Sequence, residues 1–248
     1  MKNPYIGITG FMRQEEVLEV FNVVPLEPER RIMVGVLASL KTMRGFQNKW
    51  PRRYPMADRI SGIFIRHPAT LNVIHYNAKE LNTLCFQMLT ITEFGGYHLH
   101  GLQLNIPWPP QMELQKYRCV FHDKQIILQI GSQAFQAVDS SPKQLAVAVK
   151  NYVGLIDYVL LDLSGGEGKL MDVAKIREYL QALKEKDLDI GIGIAGGLCP
   201  ETLETIIPLI AEFPDISIDA EGRLRDQSDN LDLLVVKKYL RKAFALFI

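Results

Sequence analysis

Three segments in the second half of the chain end in residues able to move protons or hold an anion. The apolar run Tyr158-Val159-Leu160-Leu161 stops at Asp162, and Gly165-Gly166-Glu167-Gly168-Lys169 follows shortly after. A second run closes on Ala195-Gly196-Gly197-Leu198, and a third on Ile216-Ser217-Ile218-Asp219-Ala220-Glu221-Gly222 with Arg223 next. A carboxylate ending an apolar strand either pairs with a cation and stays ionised or has its pKa raised by desolvation and can then donate a proton. Glycine turns let backbone approach a ligand closely, and N–H groups there, with helix N-termini, suit a phosphate. Asp162 is therefore the candidate acid. Gly196, Gly197, Gly222, Arg223 and Lys169 are candidate phosphate contacts, and Gly165, Gly166 and Gly168 candidate contacts to the rest of a ligand. Asp219 reads as a cap on the turn beside it.

Other residues add to this set. His75 falls near the end of an apolar strand; such a histidine is more often a hydrogen-bonded core residue, yet it is the best-placed candidate base. Asn105 ends a strand on the same side, and Trp108 after it either stacks on a ligand or covers the site. His98 and His100 precede their strand and belong to the opposite end. The segment 39–57 is long, basic and aromatic, with Lys41, Arg44, Lys49, Trp50, Arg52 and Arg53. Connections of that length usually close over a site or lie loose on the surface. Arg44 is its candidate ligand contact.

Eight short apolar runs could position these side chains: residues 5–9, 31–38, 72–76, 101–105, 125–130, 157–162, 189–194 and 216–219. Continuous apolar character is expected of strands covered on both faces. Helical patterns alternate with them at 14–21, 78–89, 111–118, 142–152, 173–186, 200–211 and 231–247. Alternation with eight strands, and no Gly-x-Gly-x-x-Gly after the first, predicts one α/β domain over 1–248, a closed (β/α)8 TIM barrel with a long loop after its second strand. In that fold the ends of the strands carry the chemistry.

Composition excludes much else. The 248 residues carry 28 Lys+Arg and 28 Asp+Glu, so no strong field attracts nucleic acid or a membrane surface. Cys85, Cys119 and Cys199 lack metal-ligand spacing, and no apolar run approaches a membrane span. A cytoplasmic monomer or homodimer is expected, binding a phosphorylated small molecule without cofactor or metal.

The chain resembles phosphoribosylanthranilate isomerases, ribulose-phosphate-binding barrels of tryptophan biosynthesis. That family's Leu-Leu-Asp, Gly-Gly-x-Gly-Lys and following Asp match Leu160-Leu161-Asp162, Gly165 to Lys169 and Asp172. Its Ala-Gly-Gly-Leu-x-Pro-Glu matches Ala195 to Glu201, and Gly101-Leu102-Gln103-Leu104-Asn105 looks like its fourth strand. The resemblance is specific over about 156–201. It implies an Amadori-type rearrangement of an aminoaldose phosphate with Asp162 as general acid. The family's base is a cysteine in Lys-Ile-Cys-Gly-Ile-Thr; here Tyr5-Ile6-Gly7-Ile8-Thr9 puts Ile6 in its place. The family's Ser-Ser-Gly-Val-Glu turn reads Ala220-Glu221-Gly222-Arg223-Leu224. The expectation is poor turnover of phosphoribosylanthranilate, restored by Ile6→Cys. The alternatives are an enzyme for a different phosphorylated substrate and a non-catalytic phosphate-ligand-binding or assembly protein.

Overall fold

The computed structural model describes residues 2–164 and 171–247. Eight parallel strands pair in chain order and close on themselves. They are β1 (Tyr5–Thr9), β2 (Arg31–Ser39), β3 (Thr70–Asn77), β4 (Gly101–Leu104), β5 (Gln125–Ile130), β6 (Tyr158–Asp162), β7 (Gly191–Ala195) and β8 (Ser217–Ala220). The seam is the pairing of β1 with β8, Ile6 opposite Ile218 and Gly7 opposite Asp219. The expected (β/α)8 barrel is present, and the long connection does follow β2.

Strand alternation divides the side chains into two sets. Ile6, Ile8, Val34, Ile74, Leu128, Val159 and Ile218 face outward and join the apolar faces of the surrounding helices in the main core. Tyr5, Met33, Leu71, Val73, Ile127, Tyr158, Leu160 and Ala195 face inward as a separate cluster filling the barrel. Both sets are apolar, which is why most strands read as continuous hydrophobic runs.

The described helices are α1 (Gln14–Phe21), α2 (Leu40–Met43), α3 (Leu84–Gly95), α4 (Gln111–Val120), α5 (Ser132–Gln136), α6 (Pro142–Lys150), α7 (Val173–Lys184), α8 (Ile207–Glu212) and α9 (Leu233–Leu246). α6 starts as its sequence predicts, Ser141 accepting from the Gln144 N–H with Pro142 in the first turn. None of the described helices is long and apolar enough to cross a membrane.

Two helices differ from expectation. α3 begins six residues later than the pattern at 78–89, because Gln87 holds the preceding chain out of helix. It donates to the Glu80 carbonyl at 2.7 Å and accepts from the Tyr76 hydroxyl at 2.7 Å. The pattern at 200–211 breaks into a 3-10 turn, Leu203–Ile206, followed by α8, with Pro208 at the start of that helix. Proline has no N–H and its ring crowds the carbonyl four residues back, so a continuous helix cannot run through it.

Candidate functional site

At the C-terminal ends of the strands the inward positions change character. Thr9, His75, Gln103, Gln129, Asp162 and Asp219 come from six different strands, and all are buried. Buried polar groups must find partners, and here they find one another. Gln103 Nε2 donates to Asp219 Oδ2 at 3.3 Å and to Gln129 Oε1 at 3.1 Å, with His75 Nδ1 at 3.4 Å. Gln129 Nε2 donates in turn to Asp162 Oδ2 at 3.0 Å. The Ser164 N–H and hydroxyl donate to Asp162 Oδ1 at 3.0 and 2.6 Å, and Thr9 Oγ1 donates to Asp219 Oδ1 at 3.2 Å. Two carboxylates, from β6 and β8 on either side of β7, are thus joined through two amides.

This layer floors the barrel mouth. One cavity of about 70 Å³ is lined by Asp162, Asp219, His75, Gln129, Ser164, Arg53, the β7 turn Gly196-Gly197-Leu198 and the β8 turn Glu221-Gly222-Arg223. A neighbouring one of about 320 Å³ shares His75, Gln129, Asp162 and Glu221 and extends to Asn77, Lys79, Asn105 and Ser132. Burial pushes the Asp219 carboxyl up to about 7; the Gln103 and Thr9 hydrogen bonds oppose the shift, and the charges of Glu221 and Asp162 add to it. Burial lowers His75 to about 4, against the attraction of Asp162, so its imidazole is neutral near pH 7. A larger cavity of about 890 Å³ lies at the other end of the barrel, with His98, His100 and Lys124 in its lining. There His100 Nδ1 accepts from the Asn72 N–H at 2.8 Å, a structural role at the end opposite the carboxylates.

The glycine turns have definite reasons. Gly196 and Gly197 adopt φ of 117° and 66°, where a side chain is strained. A Cβ on Gly196 would also lie 3.3 Å from Asp162 Oδ1 and 3.1 Å from Ser164 Cβ. Thr202 ties the rest of this turn, accepting from the Cys199 N–H at 2.9 Å and donating to the Gly197 carbonyl at 2.8 Å. The N–H groups of Gly197 and Gly222 make no hydrogen bond among the described residues. Since α8 starts only at Ile207, the N–H groups beyond β7 belong to a turn and not to the expected helix N-terminus.

The basic segment after β2 reaches the β8 side of the mouth, where Arg53 lines the first cavity. Arg53 pairs with Glu221 at 3.2 Å and with Asp229 at 2.6 Å, while Arg52 donates to the Ser228 carbonyl at 3.1 Å. Burial raises the Glu221 carboxyl against the pull of Arg225 and Arg53. Its side chain keeps 27% exposure, so this shift matters less than that of Asp219, which is 6% exposed.

The cavities gather most of the expected residues: Asp162, His75, Gly196, Gly197, Gly222 and Arg223 line the first, and Asn105 the second. Arg223 Nη1 also lies 4.0 Å from Cys199 Sγ. Gly165, Gly166, Gly168 and Lys169 lie outside the described residues. Arg44 lines neither mouth cavity; it sits 3.3 Å from Glu80 on the exposed surface, and Arg53 reaches the mouth instead. Trp108 lines neither mouth cavity; its Nε1 donates to the Ala134 carbonyl at 2.9 Å and its ring lies against Tyr152. Asp219 does not cap its turn but faces the barrel interior. Ile6 is fully buried on the outer face of β1, among residues that pack on the helices, whereas Gly7 and Thr9 face inward. Sequence reasoning missed Gln103 and Gln129 and gave Thr9 and Asp219 no chemical role. The available signal was position, since Gln129 stands two residues beyond Ile127 of the apolar layer and Gln103 and Asp219 pair in register with Ile127 and Ala195 of it. No group of three or more His, Cys, Asp or Glu among the described residues is arranged to hold a metal ion.

No protein-family profile matches the chain, and no curated protein matches its sequence. Solved structures do resemble it. A phosphoribosyl anthranilate isomerase from Thermus thermophilus is 14% identical with TM-score 0.65, the alignment covering 98% of this chain and 99% of that one. A phosphoribosylanthranilate isomerase from Thermotoga maritima is 16% identical with TM-score 0.61, covering 97% and 98%. A ribulose-1,5-bisphosphate carboxylase/oxygenase from Pyrococcus horikoshii is 15% identical with TM-score 0.60, covering 99% of this chain and 59% of that one. At such identities the likeness is one of fold.

Proposed function

We propose that the barrel mouth binds a phosphorylated sugar-type metabolite and isomerises it by proton transfer, as an aldose–ketose or Amadori-type isomerase does, with Asp162 as general acid. One observation carries the reading. The Asp162 carboxyl opens on the same cavity as two glycine turns, in which the Gly197 and Gly222 N–H groups make no hydrogen bond among the described residues, and as Arg53 and Arg223. An anion at the turns leaves the carbon chain of a small sugar phosphate over the floor, within reach of Asp162. The three hydrogen bonds from Ser164 and Gln129 fix the carboxyl in place, and fixed geometry is what proton transfer requires.

The test has two arms. Titration with ribulose 5-phosphate and with inorganic phosphate should give saturable binding that Gly197→Val removes. Turnover is then followed on ribulose 5-phosphate and on phosphoribosylanthranilate, the latter through anthranilate fluorescence. Binding without turnover of either, in wild type, favours the second reading, a non-catalytic phosphate-ligand-binding protein. What supports that alternative is Glu221, whose carboxylate pairs with Arg53 beside the turn where the anion would sit. No saturable binding sinks both.

A further inference from the structure

We propose that Asp219 is the catalytic base of the mouth, taking a proton from substrate carbon while Asp162 serves the oxygen. This rests on the isomerase reading above and supplies the group that reading lacks. The argument begins on β1. Its inward side chains at the level of the floor are Gly7 and Thr9, and neither is a base. A Cβ on Gly7 would lie 2.7 Å from Asp219 Oδ1 and 3.1 Å from the Asp219 Cα. The β8 carboxylate, together with Met33 Cε at 2.8 Å, therefore occupies the volume that a side chain on β1 would fill, and a glycine on β1 leaves Asp219 that room. Ile6, the neighbouring position, points away from the mouth, so no substitution at Ile6 can deliver a base to it.

Asp219 is held as a base should be. Thr9 Oγ1 and Gln103 Nε2 donate to its two oxygens, stabilising the ionised form, and it lines the same cavity as Asp162. The charged and titratable groups around it are Asp162 from β6, Glu221 from the β8 turn, Tyr5 from β1 and Tyr239 from α9. Both phenols are pushed well above their ordinary range by burial and stay neutral. Against the two donors, burial and the two carboxylates raise Asp219 to about 7, which matches a base working near neutrality. His75, lowered to about 4, is a much weaker base and is better suited to orient Gln103.

The step balances with the groups present. The Asp219 carboxylate takes the proton from the carbon beside the carbonyl, and the C–H pair becomes the C=C bond of an enediol. Asp162 gives its proton to the carbonyl oxygen. Asp219 then returns its proton to the former carbonyl carbon while Asp162 recovers one from the other hydroxyl, so both carboxyls end as they began.

The experiment uses the whole protein in D₂O with ribulose 5-phosphate as probe. Proton NMR follows exchange at C1, and titration of the same samples follows binding. Expected are exchange in wild type, at least a hundredfold loss in Asp219→Asn with binding kept, and Thr9→Val moving the rise of exchange to higher pH by removing a donor to the carboxylate. Exchange in Asp219→Asn within tenfold of wild type, or wild-type binding without exchange, overturns Asp219 as base. Absence of binding overturns instead the sugar-phosphate reading of the mouth. An unmoved pH profile in Thr9→Val would contradict the positioning role assigned to that hydroxyl.

Discussion

Val73 and His75, Ile127 and Gln129, Leu160 and Asp162 are pairs two residues apart on the same inward face of the barrel. The first member of each belongs to a dry apolar cluster and the second to a hydrogen-bonded polar layer at the mouth. One step along three strands changes the physics from packing to electrostatics. A buried polar group costs about 1–3 kcal/mol when left without a partner, so an apolar floor would have been the simpler way to finish the barrel. The polar layer is retained against that cost, with one carboxyl pushed up to about 7 and one imidazole down to about 4. Strain of this kind concentrates where chemistry is done.

The sharpest way to break the contrast is at Asp162. Asp162→Asn keeps shape and most hydrogen bonding but removes the acid, so isomerisation should fall about 10²–10⁴-fold while anion affinity holds. Steady-state rates alongside a sulfate titration separate the two effects, and equal loss in both would make Asp162 a structural residue of the turn.

Asp219→Asn tests the other carboxyl through stability. Its folded pKa lies above the unfolded value, so the folded state binds more protons between about pH 4 and 7 and wild-type stability falls as pH rises through that window. The variant should therefore gain stability at pH 8, on the order of 2–4 kcal/mol, and show little gain at pH 4 in urea melts. His75 has the opposite sign. Its depressed pKa contributes stability that is lost as pH falls from about 6.5 towards 4, so His75→Leu should flatten the acid side of the curve.

Smaller effects come from the rim and the outer face. Glu221→Gln removes a carboxylate from beside the anion turns and should tighten sulfate binding by up to about tenfold at pH 8. The gain should shrink at low pH, where the raised Glu221 carboxyl is already protonated in wild type. Ile6→Cys should cost about 1 kcal/mol, a modest core truncation, and bring no gain in isomerase turnover. A gain in turnover there would mean that Ile6 reaches the mouth and that the assignment of faces on β1 is wrong.

The fold was legible because parallel strands covered on both sides advertise themselves as apolar runs, and eight of them alternate with helical patterns. Asp162 and the Gly196-Gly197 turn were legible because they interrupt those runs at their ends. What sequence did not reveal is direction and partnership. In Tyr5-Ile6-Gly7-Ile8-Thr9 only the barrel decides that Tyr5, Gly7 and Thr9 turn inward. Gln103 and Gln129 are ordinary polar residues until four strands bring them together with two carboxylates. Arg44 and Arg53 look alike in a basic loop, and only the course of the chain takes Arg53 to Glu221 and leaves Arg44 with Glu80.

The central claim, that the polar floor and the glycine turns form one site for a sugar phosphate, is tested most directly by a crystal structure with ribulose 5-phosphate. The account predicts the phosphate against Gly197 and Gly222, with C1 and C2 of the sugar over the Asp162 and Asp219 carboxyls. A phosphate held elsewhere, such as the His98–His100 end of the barrel, or a sugar pointing away from the two carboxyls, would contradict it.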